Sequence, residues 1–454
     1  MLIRFVIENM FSFGKRKEFN TIPSNRLKTL DTHKYKIKAS NFSMLKLASI
    51  YGANGAGKSN LVKALEILQN LVVNETFPVD PTHFKLNAST NDKNQYLIIE
   101  FVEEDTAFIY GLEILNNMIL SEELYLSGLG VTEDKLLYKR KIQNNGKPQI
   151  TFADAFEKDE KNQLLKSILI EEFVEDTKPI LKLLANRDNK YFTNVKKAFN
   201  WFQQTLVVMA PDSRPIALAH HIEHNNTFRQ YAETIMKSFH TGVDTLHIEK
   251  QSIKDFYGHD NESQINQTIN KLNASPNDVI GIKNSKNGKE YIIIKEDNEI
   301  WVKSLSLGHV GKDNKTILFE LEEESDGTKR LLDFIPVLQD IILTNRVFVI
   351  DEIERSIHPL MIKEIIKKIS LDTNTKGQLI FTTHEANLLD QNIFRKDEIW
   401  FVEKDQSGST DLYSLSDFKE HKTIDIRKGY LTGRYGSIPF LGNLQDLNWN
   451  QHAS

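Results

Sequence analysis

Eight residues near the N-terminus have the types and spacing of a phosphate-binding loop. The segment Gly52–Ser59 reads Gly-Ala-Asn-Gly-Ala-Gly-Lys-Ser. Its glycines let the backbone turn tightly and point N–H groups at an anion. The Lys58 ammonium can reach the β- and γ-phosphates of a nucleotide, and the Ser59 hydroxyl can bind Mg²⁺. The nucleotide-binding residues that we expect from this loop are Gly52, Asn54, Gly55, Gly57, Lys58 and Ser59.

The segments on either side of the loop favour the same interpretation. Residues 45–50 read Leu-Lys-Leu-Ala-Ser-Ile, which is suited to a strand. After the loop, apolar residues recur with helical spacing from Leu61 to Leu71. A loop between a strand and a helix turns the helix N-terminus toward the bound anion. A chance glycine turn is improbable in this setting, so we expect a nucleoside triphosphate, and the motif by itself accepts ATP or GTP.

A pair of carboxylates follows an apolar segment far downstream. The residues Val347-Phe348-Val349-Ile350 form a continuous apolar run, which predicts a strand buried on both faces of a parallel sheet. Asp351 and Glu352 follow directly, where the ends of such strands line a ligand crevice. Acidic residues also cap strands without any catalytic role, so we assign a function to this pair only because the chain also has a phosphate loop. We expect Asp351 to hold Mg²⁺ through water and Glu352 to polarise an attacking water.

Two further segments carry candidate phosphate contacts. The apolar residues 378–383 predict a strand that ends in His384, where the imidazole can contact a γ-phosphate. A lone histidine is more often structural, but its place after this strand favours a functional role. Upstream, Ser325 or Asp326 can cap a helix, and Gly327 permits close approach to its N-terminus. Taken alone, the Ser325–Gly327 segment would be interpreted as a turn with a helix cap. Its place about 25 residues before Asp351 favours a second anion site.

Composition narrows the class of protein. A chain of 454 residues is long enough for two or three packed units. The net charge of −5 provides no overall positive field for nucleic acid. The absence of cysteine excludes disulfides, thiol catalysis and cysteine-bound zinc, and it fits a reducing compartment. The N-terminus does not read as a signal peptide, and no apolar run reaches the roughly 18 residues that span a bilayer. We therefore expect a soluble cytoplasmic protein without a membrane partner.

Taken in order, these elements resemble the ABC-type ATPase heads of the RecF/SMC class. Gly52–Ser59 matches the Walker A motif of that class, and Val347–Glu352 matches Walker B. The segment Ser325–Lys329 matches the signature motif, although it keeps only the serine and the second glycine of the usual Leu-Ser-Gly-Gly-Gln. Ile353–Pro359 resembles the D-loop, and His384 resembles the switch histidine.

The resemblance extends to a bacterial subgroup of compact ATPases without a long coiled coil, the abortive-infection and overcoming-lysogenisation-defect-like proteins. In that subgroup the signature commonly reads Ser-Asp-Gly-Thr, as it does from Ser325 here. The other segments that carry this resemblance are residues 108–110, 119–124, 137–140, 201–202 and 430–439. The resemblance covers nearly the whole chain and implies an α/β fold: a P-loop NTPase head of two lobes, split by a mainly helical insertion.

The predicted domain organisation has four parts. Residues 1–150 form a first ATPase lobe with Walker A, and residues 151–277 form the mainly helical insertion. Residues 278–404 form a second lobe with the signature, Walker B and the switch histidine, and residues 405–454 form a C-terminal tail. The insertion has no sustained heptads, so a long coiled coil is not expected. Within the tail, Arg427–Pro439 looks too irregular for a helix and either packs on the second lobe or docks a partner.

The resemblance also implies a mechanism. ATP and Mg²⁺ are the cofactors, Glu352 and His384 are catalytic, and Ser59 and Asp351 hold the metal. Two ATP molecules lie between two heads, and Ser325 and Gly327 of one head complete the nucleotide site of the other. A homodimer or higher homo-oligomer is therefore expected, which closes with ATP and loosens after hydrolysis.

Three hypotheses describe what such a switch controls. Only 70 residues follow His384, so we expect no fused Toprim nuclease. The leading hypothesis is the sensor or regulatory ATPase of a two-component anti-phage (abortive-infection) system with a separately encoded effector, a Toprim-like or other nuclease.

The alternative is a RecF-like DNA repair or recombination ATPase. Its modest support is the basic segments Lys135–Lys141 and Lys190–Lys197, which a solvated face explains equally well. A scaffold that barely hydrolyses ATP is a third reading, which Glu352 and His384 oppose.

Overall fold

The computed structural model describes residues 1–37, 40–87, 93–143, 145–213, 218–258, 261–275, 278–283, 290–418 and 425–437. Residues 438–439, at the end of the predicted tail segment, lie outside these ranges. The strands are β1 (Leu2–Glu8), β2 (Lys17–Asn20), β3 (Lys34–Lys36), β4 (Ser43–Leu45), β5 (Leu47–Gly52), β6 (Gln95–Glu103), β7 (Thr106–Leu115), β8 (Met118–Leu126), β9 (Lys135–Ile142), β10 (Pro148–Phe152), β11 (Leu206–Met209), β12 (Val243–Ser252), β13 (Val279–Lys283), β14 (Glu290–Glu296), β15 (Glu299–Val310), β16 (Thr316–Glu320), β17 (Val347–Ile350), β18 (Gln378–Thr383), β19 (Ile399–Lys404) and β20 (Thr410–Ser414). The α-helices are α1 (Lys58–Asn74), α2 (Asp154–Glu157), α3 (Glu160–Ile168), α4 (Leu181–Ala185), α5 (Thr193–Asn200), α6 (Leu218–His224), α7 (Asn226–Ser238), α8 (Ile253–Tyr257), α9 (Glu262–Asn273), α10 (Asp326–Leu343), α11 (Pro359–Leu371) and α12 (Ile426–Leu431).

The chain divides into two compact units. The first contains Met1–Pro211, Ile341–Glu354 and Lys363–Ser454, and the second contains Asp212–Asp340 and Arg355–Ile362. The four-part organisation expected from the sequence stays a prediction. Among the described residues, no helix combines the length and the apolar character that crossing a membrane requires.

A mainly parallel sheet forms the centre of the first unit. Its strand order is β11-β17-β18-β5-β19-β20, and all neighbours are parallel except the β19–β20 pair. Every residue of β5, β17 and β18 is buried, as continuous apolar strands predict. β11 comes from the range predicted as a helical insertion, yet it pairs with β17. Because β18 lies between β5 and β17, the carboxyl ends of these three strands meet at one edge of the sheet.

An antiparallel sheet completes the first unit, with strand order β10-β9-β8-β7-β6-β1-β2. One apolar cluster joins its inner face to the parallel sheet and to α1, whose buried residues include Leu61, Leu65 and Leu68. Helix α1 is amphipathic, and its apolar side chains repeat at the spacing seen in the sequence. This packing fixes the position of α1, and therefore of the phosphate loop that precedes it, against the parallel sheet. The α/β class predicted from the sequence is therefore confirmed.

A buried carboxylate ties the antiparallel sheet to the segment before α4. Glu122 is fully buried and accepts hydrogen bonds from the hydroxyl groups of Tyr110 (3.0 Å) and Tyr138 (2.7 Å) and from the Ile180 backbone N–H (2.7 Å). Burial raises the pKa of Glu122, and the nearby Arg140 opposes that shift. Arg140 itself donates to the carbonyl of Lys178 at 2.7 Å. These residues lie in segments that resemble the abortive-infection-like subgroup, and their role here is structural.

The second unit is built on a second antiparallel sheet, β12-β15-β14-β13, with β16 also paired to β15. Four ligand-like side chains cluster beside it: His220, Glu223 and His224 on α6 and Glu296 on β14. The buried Lys303 lies among them, with its Nζ 2.5 Å from Glu223 Oε2 and 3.1 Å from His220 Nδ1, and it also contacts Glu296. Lys250 Nζ also lies 2.9 Å from Glu296 Oε2, so two ammonium groups balance the two carboxylates and the cluster is an internal ion-pair network.

The C-terminal segment contains a helix, and the prediction of an irregular stretch was wrong. α12 begins after Asp425, whose side chain accepts from the Lys428 backbone N–H as an N-cap. The rings of Tyr430 and Tyr435 are buried and stack on Phe401 of β19, with centroids 5.7 and 5.5 Å away. These two tyrosines therefore pack on the parallel sheet and do not form a docking surface.

The tail packing predicts a stability effect. Tyr435→Ala should lower the free energy of unfolding by about 3–5 kcal/mol, because it opens a cavity against Phe401. The exposed Arg427 lies in the same segment, and Arg427→Ala should change it by no more than about 0.5 kcal/mol. Chemical denaturation monitored by circular dichroism measures both. Equal midpoints for Tyr435→Ala and the parent chain would contradict the packing role.

Candidate functional site

The loop Gly52–Ser59 lies between β5 and α1, as predicted. Helix α1 begins at Lys58, so its first N–H groups and its positive dipole end face the loop. Asn54 and Gly55 are exposed, whereas Gly57 is buried and Ser59 is half-buried at the start of the helix. The loop therefore has an open outer part and a fixed base.

Gly57 is required by both conformation and space. Its φ is +117°, which disfavours any residue with a side chain. An added Cβ would lie 2.2 Å from Thr410 Oγ1 and 2.8 Å from Ser12 Oγ. Thr410 Oγ1 lies 2.7 Å from Ser12 Oγ and 2.9 Å from the Ala56 carbonyl, and Asn60 donates to Ser12 Oγ at 2.8 Å. The start of β20 and the loop after β1 thus support the base of the phosphate loop.

The Lys58 ammonium is folded into this loop. Its Nζ donates to the carbonyls of Gly52 (2.7 Å) and Ala53 (3.1 Å) and lies 3.2 Å from His384 Nδ1. Burial lowers the pKa of Lys58 to about 8, and the charges of Glu354, Asp351 and Glu352 oppose that shift. The group is thus mainly protonated at neutral pH. Because carbonyl groups are weaker partners for a cation than phosphate oxygens are, this ammonium can transfer to an anion.

Thr382 on the neighbouring strand β18 contacts the Asp351 carboxylate and the Glu352 backbone after β17. The Thr382 hydroxyl donates to Asp351 Oδ1 and accepts from the Glu352 backbone N–H at 2.8 Å. The Asp351 N–H donates to the Met209 carbonyl of β11 at 2.9 Å. Asp351 is buried and Glu352 is half-buried with a left-handed φ of +49°. The positive φ of Glu352 turns the chain after the strand.

His384 follows β18 and lies beside the phosphate loop. Partial desolvation and the nearby Lys58 ammonium lower the pKa of His384, so its ring is neutral at pH 7. The His384 backbone N–H donates to Glu354 Oε1 at 2.5 Å. The structure thus brings Lys58, Asp351, Glu352 and His384 to one edge of the sheet, as the sequence predicted for parallel strands.

Ser325 and Gly327 belong to the second unit. Ser325 lies immediately before α10, and its Oγ accepts from the Thr328 backbone N–H at 3.1 Å, which is N-cap geometry. Ser325 is exposed and Gly327 is half-buried. A Cβ at Gly327 would lie 3.0 Å from the Ser356 carbonyl, so glycine allows this close approach. The predicted signature residues therefore form the exposed beginning of an 18-residue helix.

Sequence reasoning missed the residues that position this site. Thr382 and Glu354 were passed over because a threonine in an apolar strand and an acid in a turn are common. Sequence reasoning also gave no role to Gln95. It is buried on β6, and its amide donates to Thr82 Oγ1 at 3.0 Å and to the Asn9 carbonyl at 3.2 Å. The spacing of residues along the chain does not reveal these contacts, because they join residues on different strands and turns.

Some of the cations in the basic segments proposed for nucleic acid contact are paired or buried. On β9, Arg140 is fully buried and Lys139 pairs with Glu123 at 2.9 Å. In the second segment, Lys197 pairs with Glu104 at 3.1 Å. A phosphate backbone requires a row of available cations. Lys135, Lys141, Lys190 and Lys196 are exposed, so the pairing and burial of the other three remove only part of such a row.

Comparisons with solved structures return SMC heads at low similarity. One is an SMC head bound to the C-winged helix domain of ScpA, with 12% identity and a TM-score of 0.39, covering 91% of this chain and 97% of that one. Another is the SMC head domain from Thermotoga maritima, with 11% identity and a TM-score of 0.35, covering 91% of this chain and 98% of that one. No curated protein matches the sequence.

A family model gives a more specific result. It matches residues 47–390, a range that begins with β5 and includes the phosphate loop, Ser325, the Asp351–Glu352 pair and His384. The match spans well over half of the chain and agrees with the resemblance to abortive-infection-like ATPases. The chain therefore belongs to the family described as "AAA domain, putative AbiEii toxin, Type IV TA system".

Proposed function

We propose that this protein binds ATP with Mg²⁺ at Gly52–Ser59 and hydrolyses it. The observation that carries this proposal is the convergence of Lys58, the Asp351–Glu352 pair and His384 at the carboxyl ends of three adjacent parallel strands. Ligands of open α/β sheets bind at such an edge. Membership of an AAA family supports nucleotide as the ligand.

The residues at this edge fit ATP and a hard cation. The loop N–H groups and the Lys58 ammonium would bind the phosphates, and the exposed Asn54 and Gly55 form the outer rim of the loop. Ser59 and Asp351 offer the oxygen donors that Mg²⁺ prefers. When bound, Mg²⁺ supplies positive charge that neutralises the phosphate oxygens.

The chain's own residues would carry the remaining steps. Glu352, which lies directly after Asp351 in the turn that follows β17, would orient and polarise the attacking water. The neutral ring of His384 lies where it could contact the γ-phosphate as Lys58 leaves the Gly52 and Ala53 carbonyls.

The second part of the proposal is a homodimer, or a higher homo-oligomer, in which Ser325 and Gly327 of one copy complete the nucleotide site of another. Two features support it. The beginning of α10 is exposed and has the geometry of an anion-binding helix N-terminus. β16 ends five residues before Ser325 and exposes Ile317, Leu318 and Phe319, and exposed apolar patches commonly mark protein interfaces.

The third part of the proposal concerns biological role. We propose the sensor or regulatory ATPase of a two-component anti-phage defence system, which controls a separately encoded effector nuclease, Toprim-like or of another kind. The family description supports a two-partner system, since it refers to a toxin–antitoxin system. The structure adds no observation that favours the DNA-repair alternative, and Lys139, Arg140 and Lys197 of its basic segments are paired or buried.

Replacement of the loop lysine tests nucleotide binding. Lys58→Ala should weaken ATP binding about 10- to 100-fold, because a charge-assisted contact is worth roughly 1.5–3 kcal/mol. The affinity of the parent chain should also fall as pH rises above about 8, where free Lys58 loses its proton. Isothermal titration calorimetry measures both. Lys63 is exposed on the same helix, so Lys63→Ala should bind normally; unchanged affinity in Lys58→Ala would exclude the loop as the site.

Replacement of Glu352 tests hydrolysis. Glu352→Gln should reduce ATP turnover about 10²–10⁴-fold while nucleotide affinity is retained, because the amide cannot polarise water as a carboxylate does. Phosphate release under saturating ATP provides the measurement, and Glu364→Gln on the exposed side of α11 is the matched control. Turnover within a few-fold of the parent chain would assign the catalytic base elsewhere.

Replacement of Ser325 tests the composite site. Ser325→Arg should leave ATP binding by the monomer intact while ATP-dependent dimerisation and hydrolysis fall together, because a bulky side chain blocks the helix N-terminus. Light scattering with and without ATP, beside turnover, gives both readouts. Ser238→Arg places the same charge at another exposed serine of the second unit and should have no effect. Normal hydrolysis by monomeric Ser325→Arg would disprove the composite site.

A further inference from the structure

Glu354 is a third carboxylate beside the phosphate loop, and no step above employs it. It lies two residues after Glu352, in a turn that the Ile353 N–H fastens to the Thr382 carbonyl at 3.1 Å. Its Oε1 accepts the backbone N–H of His384 at 2.5 Å. The side chain therefore joins the turn after β17 directly to the first residue after β18.

The second oxygen of this carboxylate is unusual. Glu354 Oε2 is buried and makes no hydrogen bond with any residue that the structure describes. A buried carboxylate oxygen without a hydrogen-bond partner lowers the stability of the folded state. A purely structural role would therefore favour a residue whose polar atoms all have hydrogen-bond partners. Glu354 Oε1 is bonded to His384 and the charge of Glu354 helps to keep the Lys58 ammonium protonated, so the hydrogen bond and the charge are both candidate reasons for an acid at this position.

We infer that Glu354 is a positioning residue that fixes the backbone of His384 and thereby aims the imidazole at the γ-phosphate of bound nucleotide. This inference rests on the proposed nucleotide site. The bond to Glu354 fixes the direction of the His384 backbone N–H and so helps to hold the Cα from which the ring reaches Lys58. Without this bond, the backbone of His384 loses an anchor to the turn after β17.

Three substitutions separate the hydrogen bond from the charge. Glu354→Gln keeps an oxygen that can accept from the His384 N–H but removes the charge. Glu354→Asp keeps the charge but is one methylene shorter, so it fails to reach that N–H. Glu354→Ala removes both. Glu385→Gln is the matched control, because Glu385 is adjacent to His384 but accepts instead from the Asn387 N–H at 2.8 Å.

The first readout is steady-state ATP turnover. Glu354→Ala and Glu354→Asp should lower kcat about 10- to 100-fold with KM for ATP within about threefold, because a small misplacement of a catalytic group is costly. Glu354→Gln should retain most of kcat, and Glu385→Gln should match the parent chain. An active Asp variant beside an inactive Gln variant would overturn the inference, since charge would then be the property that matters.

The second readout does not require hydrolysis. If His384 contacts the γ-phosphate, the protein binds a non-hydrolysable ATP analogue more tightly than ADP, and His384→Ala reduces that preference. Glu354→Ala should reduce it to the same extent, and the double variant should be no worse than either single variant. Additive losses would overturn the inference. An inactive parent chain that keeps this non-additivity would count against the proposed hydrolysis while supporting the role of Glu354.

Discussion

The buried ammonium of Lys58 is the interaction on which the candidate site depends. A cation removed from water is costly unless oxygen atoms surround it. Here the carbonyls of Gly52 and Ala53 accept hydrogen bonds from it, and the carboxylates that follow β17 oppose the effect of burial on its pKa. These carbonyl groups bind a cation less strongly than phosphate oxygens do, so the Lys58 ammonium remains able to exchange them for an anion.

The strand order brings the charged groups of the candidate site together. β5 carries the loop, β17 carries Asp351 and Glu352, and β18 lies between them. Thr382 on β18 bonds to both acidic residues, and Glu354 holds the backbone of His384. Hydrogen bonds between adjacent strand ends thus set the positions of the charged groups, while the buried strands provide a rigid base.

Buried polar groups elsewhere obey the same rule with a structural result. Glu122 accepts from two tyrosines and from backbone N–H groups, and His33 lies 2.9 Å from Glu398 in a fully buried pair. Each pair joins segments distant in sequence. Removing one partner would leave the other unsatisfied in the interior, and this makes such residues characteristic of a fold even where they have no part in chemistry.

The sequence by itself identified the phosphate-loop pattern, the acidic pair and His384 as the candidate site. Each is encoded locally, by glycine spacing or by an apolar run that ends in a polar residue, and local patterns survive without knowledge of the fold. Tertiary structure decided which strands are neighbours, that Thr382 and Glu354 support the site, and that Tyr430 and Tyr435 are buried. These features depend on contacts between residues as far apart as Ser12 and Thr410. Such contacts arise only when apolar faces pack together, and no periodicity along the chain records which faces will meet.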